Sequence, residues 1–125
     1  MKTRLAILLW AANADAPALC ATPFVHAAAA AALDAEVEIH FAGPSVRLLV
    51  DGVARGLRPW PGQDVDVYAV MRQAALLDVK FLACAMAREA YIDAAEALIP
   101  EYAGTSGASA FVQRTLDPDW ATLVY

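Results

Sequence analysis

Val79-Lys80-Phe81-Leu82-Ala83-Cys84 is a short apolar run, and it leads directly into the helix-forming stretch Ala85-Met86-Ala87-Arg88-Glu89-Ala90. This junction is typical of a buried parallel strand that is followed by a helix. In parallel α/β sheets, ligands bind just beyond the carboxyl ends of the strands, which is where Cys84 lies. Unpaired N–H groups at the start of a helix also favour a thiolate. Cys84 is therefore the first candidate for a reactive residue, and the alternative is a buried structural cysteine.

The rest of the chain continues the same alternation of strands and helices. Strands are predicted at residues 4–10, 36–41, 79–84, 98–102 and 121–125. The second of these alternates polar and apolar residues, which predicts a strand near a sheet edge or under thin cover, with His40 facing solvent. Together the segments predict an α/β protein: a three-layer α/β/α fold with a mostly parallel five-stranded sheet, in a single domain that spans residues 1–125.

Four of the five predicted helices begin at a small polar residue or near a proline, as helices commonly do. Residues 53–63, which contain two glycines and two prolines, predict a loop. The predicted helices are, in order, Thr22 to about Asp34 with Pro23 at the first helical position, a short helix opened by Gly43-Pro44-Ser45, a helix capped by Asp64 or Asp66, residues 86–97, and a helix capped by Ser106.

The N-terminal segment has two interpretations. Leu5–Trp10 follows the basic residues Lys2 and Arg4 and precedes Ala12-Asn13-Ala14, as in a signal peptide with its cleavage site. A short apolar run is equally typical of the first buried strand of an α/β domain, and we interpret the segment in this way. Because no stretch has the length and composition of a membrane span, we expect a soluble, cytoplasmic protein without a membrane partner.

The composition argues against several classes of function. A net charge of −5 and only nine Lys and Arg in 125 residues argue against a nucleic-acid partner. The phosphate-binding GxxxxGK[ST], the dinucleotide-binding GxGxxG and the hydrolase GxSxG patterns do not occur. Two cysteines and two histidines without ligand spacing predict neither a metal site nor a cofactor. The 60% hydrophobic fraction leaves open an oligomer that buries apolar surface between subunits.

Two residues are candidates to assist Cys84, because the loops after parallel strands open on one edge of the sheet. Cys20, in the loop after the first strand, is an auxiliary or resolving thiol or else a small residue packed in a loop. His26, in the first turn of its helix, is a candidate base or else a packing residue. The turn Gly104-Thr105-Ser106-Gly107 is either an anion-binding turn or an ordinary loop and cap.

The order of these elements and several local strings resemble the DsrE/DsrF-like family of small sulfur-relay proteins. The resemblance covers most of the chain and implies a three-layer domain that forms a homo-oligomer, either a trimer or a hexamer. It also implies that Cys84 matches the cysteine that takes up persulfide sulfur from a donor protein and passes it to an acceptor protein. The strings that carry it are Asp34-Ala35-Glu36-Val37-Glu38-Ile39-His40-Phe41, Gly43-Pro44-Ser45-Val46-Arg47-Leu48-Leu49, Val79-Lys80-Phe81-Leu82-Ala83-Cys84, Leu98-Ile99-Pro100 and Ala110-Phe111-Val112.

The sequence leaves three functions open. The first is a sulfur carrier, or sulfurtransferase, with a persulfide on Cys84. The second is a non-catalytic oligomeric module in which Cys84 is buried, and the third is a redox sensor that pairs Cys84 with Cys20. The segment Arg88-Glu89-Ala90-Tyr91 departs from the sulfur carriers, which often have a glycine turn at this position.

Overall fold

The computed structural model describes residues 3–125, so Met1 and Lys2 of the basic N-terminal segment lie outside the described residues. The strands are β1 Arg4–Leu9, β2 Glu36–Phe41, β3 Lys80–Cys84, β4 Tyr102–Ser106 and β5 Trp120–Val124. The helices are α1 Thr22–Ala32, α2 Val67–Leu76, α3 Ala85–Tyr91 and α4 Ala108–Leu116. Short 3-10 helices cover Pro17–Leu19, Gly43–Leu49 and Ala54–Gly56.

The strands form one sheet in the order β4-β3-β2-β1-β5, and every neighbouring pair is parallel. Helix α1 packs on α2 and on one face of the sheet, where its Phe24 contacts Phe41 and Phe81. Helix α4 lies on the opposite face, where Phe111 contacts His40. The predicted three-layer α/β/α fold with a five-stranded parallel sheet is therefore confirmed.

The core between the sheet and helices α1 and α2 is built around three phenylalanines. Side chains alternate between the two faces of a strand, so Phe41 and Phe81 point to the same face as Ile7. Phe24, Phe41 and Phe81 are fully buried, with ring centroids 5.5 to 6.0 Å apart. Burial of side chains of this size supplies much of the hydrophobic stabilisation of the fold.

The N-terminal apolar segment is a strand, as predicted. β1 lies between β2 and β5, and its residues Ala6, Ile7 and Leu9 are fully buried. The backbone of the segment is thus part of the sheet ladder on both sides. Within residues 3–125, no helix combines the length and the apolar character needed to cross a membrane.

β2 is a strand at the predicted residues, 36–41, but its predicted surroundings are wrong. The alternating pattern predicts a strand near a sheet edge or under thin cover, with His40 facing solvent, but β2 is the middle strand, and Glu38 and His40 are only 6% and 3% exposed. Helix α4 covers this face, and the two polar side chains are buried because they bond to each other. A polar group can be buried at low cost when it has hydrogen-bond partners, so alternation does not require solvent.

The predicted boundaries around β4 are also wrong. The helix predicted to reach residue 97 ends at Tyr91, because Ile92 adopts an extended backbone. Leu98 is not part of a strand beside β3, but forms an isolated antiparallel bridge with Val50. The segment is apolar because it packs on the 3-10 helix before Val50, where the N–H of Ile99 donates to the carbonyl of Leu49 at 2.8 Å.

The polar segment Tyr102–Ser106 forms β4 instead, although it has the composition of a loop. Main-chain hydrogen bonds to β3 hold it, with an irregular register that skips Ala103. Gly104, with a φ of +145°, permits this bulge at the edge of the sheet. The predicted turn at residues 104–107 is thus largely a strand, and Ser106 is its last residue rather than a helix cap.

The helix starts agree with the sequence only in part. The cap of α1 is Ala21 rather than Thr22, and no side chain caps this helix. The cap of α2 is Asp66, one of the two predicted candidates, and its carboxylate accepts the N–H of Ala69 at 2.8 Å. The cap of α4 is Gly107. The residue at which a helix begins depends on the conformation of the loop before it. The loop sequence has no hydrophobic periodicity from which that residue could be predicted.

Candidate functional site

Cys84 lies at the carboxyl end of β3, where it is also the N-cap residue of α3. It is a half-buried free thiol, and it lines a cavity of about 240 Å³ under α4. Its side chain makes no capping hydrogen bond to α3, so the helix N–H groups do not hold the sulfur. The position of Cys84 at a strand-to-helix junction is as predicted, but the cavity rather than the helix end forms its surroundings.

The parallel register places Cys84 beside two polar residues on the same sheet face. Cys84 pairs with Ser106 of β4, and neighbouring strands are about 4.8 Å apart. His40 pairs with Leu82, two residues before Cys84, so His40 and Cys84 also share a face. His40 and Ser106 both line the cavity, whose other wall residues include Leu8, Phe111 and Val112.

A chain of hydrogen bonds leads from the cavity wall, through Ser106 and His40, to Glu38 and Arg114 behind it. Nε2 of His40 lies 2.9 Å from Oε1 of Glu38, and Nδ1 of His40 lies 3.3 Å from Oγ of Ser106. The same Glu38 oxygen accepts a hydrogen bond of 2.8 Å from Nε of Arg114. The Arg114 guanidinium lies over the indole of Trp120, 4.1 Å from its centroid. This cation–π contact holds Arg114 in place at the end of the hydrogen-bonded chain.

The electrostatics of this chain determine which atoms carry hydrogens. Burial alone raises the pKa of Glu38, but hydrogen bonds and positive charge from His40 and Arg114 outweigh it and lower this pKa to about 2. Glu38 is therefore an ionised carboxylate that only accepts hydrogen bonds, so Nε2 of His40 must carry a hydrogen. When the ring is neutral, Nδ1 bears the lone pair, and the hydroxyl of Ser106 donates to it.

Cys20 does not join this site. Its thiol is fully buried and donates to the carbonyls of Asn13 and Ala16, at 3.2 and 3.4 Å. Burial raises the pKa of this thiol to about 11, so it stays protonated at neutral pH. The loop after β1 does open on the same edge as Cys84, but β2 lies between the two strands, and Cys20 does not line the cavity.

His26 is also separate from Cys84. It lies on the exposed side of α1, where its Nδ1 forms a hydrogen bond with the hydroxyl of Tyr125 and the two rings are 5.7 Å apart. This contact joins α1 to the end of the chain after β5, which is separated from β3 by the two strands β2 and β1. Among residues 3–125, no three His, Cys, Asp or Glu side chains are grouped in a way that could hold a metal ion.

Glu38 and Arg114 are not among the candidates found in the sequence, Ser106 is a candidate only as part of a turn, and His40 is predicted to face solvent. One signal was available, because residues two apart on a strand share a face and Glu38 and His40 are such a pair. Nothing local connects them to Arg114, which is 76 residues away in the sequence. Their meeting depends on the strand order, which brings β2 to the middle of the sheet under α4.

Two solved structures resemble this protein over nearly its whole length. YchN from E. coli superposes with a TM-score of 0.64 and 12% identity, covering 100% of both chains. MTH1491, a protein of unknown function from Methanobacterium thermoautotrophicum, superposes with a TM-score of 0.65 and 17% identity, covering 98% of each chain. No protein-family model and no curated protein matches the sequence. At this identity the likeness concerns the fold, and the chain has the DsrE/DsrF-like fold that its sequence predicts.

Proposed function

We propose that this protein is a sulfur carrier that accepts persulfide sulfur on Cys84 and passes it to a partner thiol. The observation that carries the proposal is the position of Cys84: a free, half-buried thiol at the carboxyl end of a parallel strand, in the wall of a cavity. A carrier must protect its persulfide from bulk solvent and yet let a second thiol reach it, and a partly covered thiol meets both needs. The partners are a sulfur-donor and a sulfur-acceptor protein, in the reducing cytoplasm.

The other two functions have less support. A purely structural Cys84 would be expected to be buried, whereas this thiol is half-buried and borders a cavity. A sensor that pairs the two cysteines needs a reactive partner thiol, whereas Cys20 is buried, protonated and bonded to two carbonyls. Cys20 therefore has the properties of a packing residue.

The test is intact-mass measurement of the folded protein after exposure to a persulfide donor. Wild type gains about 32 Da, the mass of one sulfur atom, and a reductant removes it. Cys84→Ser gains nothing because serine cannot carry the sulfur, and the matched variant Cys20→Ser loads like wild type because its thiol is inaccessible. Absence of the adduct on folded wild type, or its persistence in Cys84→Ser, would contradict the proposal.

We also propose that the protein forms a homo-oligomer, either a trimer or a hexamer. Large apolar side chains of α4 and β5 are exposed: Val112 by 53%, Leu116 by 79% and Val124 by 62%. Exposed apolar groups of this size commonly mark a contact with another subunit. Sedimentation of the purified protein at micromolar concentration is expected to give three or six times the 13.3 kDa protomer mass. A monomer under these conditions would exclude the assembly.

A further inference from the structure

The hydrogen-bonded chain from Glu38 to Ser106 is polar where the fold needs only apolar packing. Glu38 and His40 occupy the middle strand of the sheet, under a helix, where apolar side chains would fill the space without desolvating a charge. The two ends of this hydrogen-bonded chain also have different neighbours. Arg114 closes it at the Glu38 end, and at the other end Ser106 lies on the strand next to Cys84, directly opposite it.

The hydrogen positions make this chain suited to moving a proton. Glu38 fixes the hydrogen on Nε2 of His40, so the lone pair of the neutral ring on Nδ1 faces the hydroxyl of Ser106. The hydroxyl donates to His40 and keeps oxygen lone pairs that can accept a hydrogen from a thiol in the cavity. When the ring takes up a proton, the carboxylate of Glu38 stabilises the imidazolium, as in other carboxylate–histidine pairs.

We propose that His40, acting through the hydroxyl of Ser106, is the acid–base group for sulfur transfer at Cys84, with Glu38 as a positioning residue. This inference rests on the proposed function, because it assigns the proton transfers of that reaction. The distance of 3.3 Å between Oγ of Ser106 and Nδ1 of His40 is at the long end for a hydrogen bond, and catalytic hydrogen bonds commonly tighten as the reacting groups come into place. The surrounding walls of Leu8, Phe111 and Val112 limit competition from water.

The step balances without a further reactant. The proton of the Cys84 thiol passes to Ser106 while the Ser106 proton passes to Nδ1 of His40, which leaves a thiolate and an imidazolium. The thiolate attacks the outer sulfur of a donor persulfide, so a new sulfur–sulfur bond forms on Cys84 and the bond to the donor sulfur breaks. The electron pair of the broken bond stays on the donor sulfur, which takes the proton back from His40 through Ser106. The products are Cys84 persulfide and the donor thiol.

The test compares loading rates from two donors that differ in the thiolate they release. Glutathione persulfide releases a basic alkyl thiolate that needs a proton, whereas an aromatic persulfide releases a weakly basic thiolate that leaves without one. Removing an acid–base group typically costs about 10²-fold in rate. Both donors need the Cys84 thiol to lose its proton, but only glutathione persulfide also needs a proton for its leaving thiolate. We therefore expect His40→Gln and Ser106→Ala to slow loading from glutathione persulfide by about 10²-fold or more, and loading from the aromatic donor by a smaller factor of about tenfold.

Ser106→Ala tests the inference even if the buried His40 variant fails to fold, because Ser106 is only half-buried. Ser106→Thr keeps the hydroxyl and is expected to load like wild type. Ser109→Ala removes the hydroxyl of an exposed serine in the first turn of α4, outside the cavity wall, and controls for loss of a hydroxyl near this end of the helix. Equal slowing with both donors, or no slowing, would overturn the inference. Failure of wild type to load from either donor contradicts the proposed function itself, and this inference with it.

Discussion

Glu38→Gln is expected to lower the free energy of unfolding by up to about 3 kcal/mol at pH 7, and the full value applies when the His40 ring is charged. The pKa of Glu38 falls from 4.5 to about 2 on folding, because hydrogen bonds and charge from His40 and Arg114 outweigh the effect of burial. Each unit of such a shift corresponds to about 1.4 kcal/mol of stability. Glutamine has nearly the same shape, but it lacks the charge and cannot accept both bonds with the same oxygen as strongly. Urea unfolding of wild type and variant at pH 7 measures the loss.

The same shift fixes the pH dependence of that loss. Because the pKa of Glu38 is lowered on folding, its stabilisation is fully present above about pH 4.5 and is lost as the pH falls towards 2. The difference between wild type and Glu38→Gln therefore shrinks across this range. The matched control is Glu36→Gln on the same strand, whose side chain is 56% exposed and pairs with Arg4 at 3.3 Å. We expect it to cost less than about 1 kcal/mol. Equal losses in the two variants would contradict the burial and bonding of Glu38.

Phe24→Ala is expected to cost about 3 to 5 kcal/mol of stability, which is the usual cost of removing a buried ring. Phe24 is fully buried and is the side chain through which α1 contacts both Phe41 and Phe81. A domain of this size has about 5 to 15 kcal/mol in total, so the variant unfolds at much lower urea concentration or fails to fold. Circular dichroism during urea titration measures the effect.

The next residue along α1 provides a matched control. Val25 is 46% exposed, so Val25→Ala is expected to change stability by less than about 1 kcal/mol. A similar cost for the two variants would show that α1 does not pack on the sheet through Phe24. Loss confined to Phe24→Ala supports the three-layer arrangement.

The sequence predicts the parts of the fold that depend on local patterns. β1 and β3 are apolar runs whose side chains are buried on the α1 side of the sheet, so their composition alone identifies them. Asp66 is identifiable because a cap acts on the N–H groups of its own helix. β4 cannot be identified from a local pattern. Main-chain hydrogen bonds to β3 stabilise it as a strand, and its side chains show no strand pattern.

The candidate site is predictable only for Cys84. Cys84 is found from sequence because its junction between strand and helix is continuous in the chain. The hydrogen bonds of the site join His40 to Ser106, 66 residues further along the sequence, and Glu38 to Arg114, 76 residues further along. The alternating pattern of β2 was interpreted as exposure, because a strand that carries two polar side chains usually faces water. Whether this face of β2 is exposed or buried depends on the strand order and on the position of α4, and neither can be determined from one sequence.

The most direct test of the account locates the added sulfur within the folded protein. After loading with a persulfide donor, free thiols and persulfides are alkylated before unfolding, and the protein is then digested with trypsin. Cleavage at lysine and arginine separates the cysteines, since Cys84 falls in the peptide of residues 81–88 and Cys20 in that of residues 5–47. We expect the alkylated persulfide, heavier than the alkylated thiol by about 32 Da, on the peptide 81–88. Sulfur on the peptide 5–47, or on neither peptide, would contradict it.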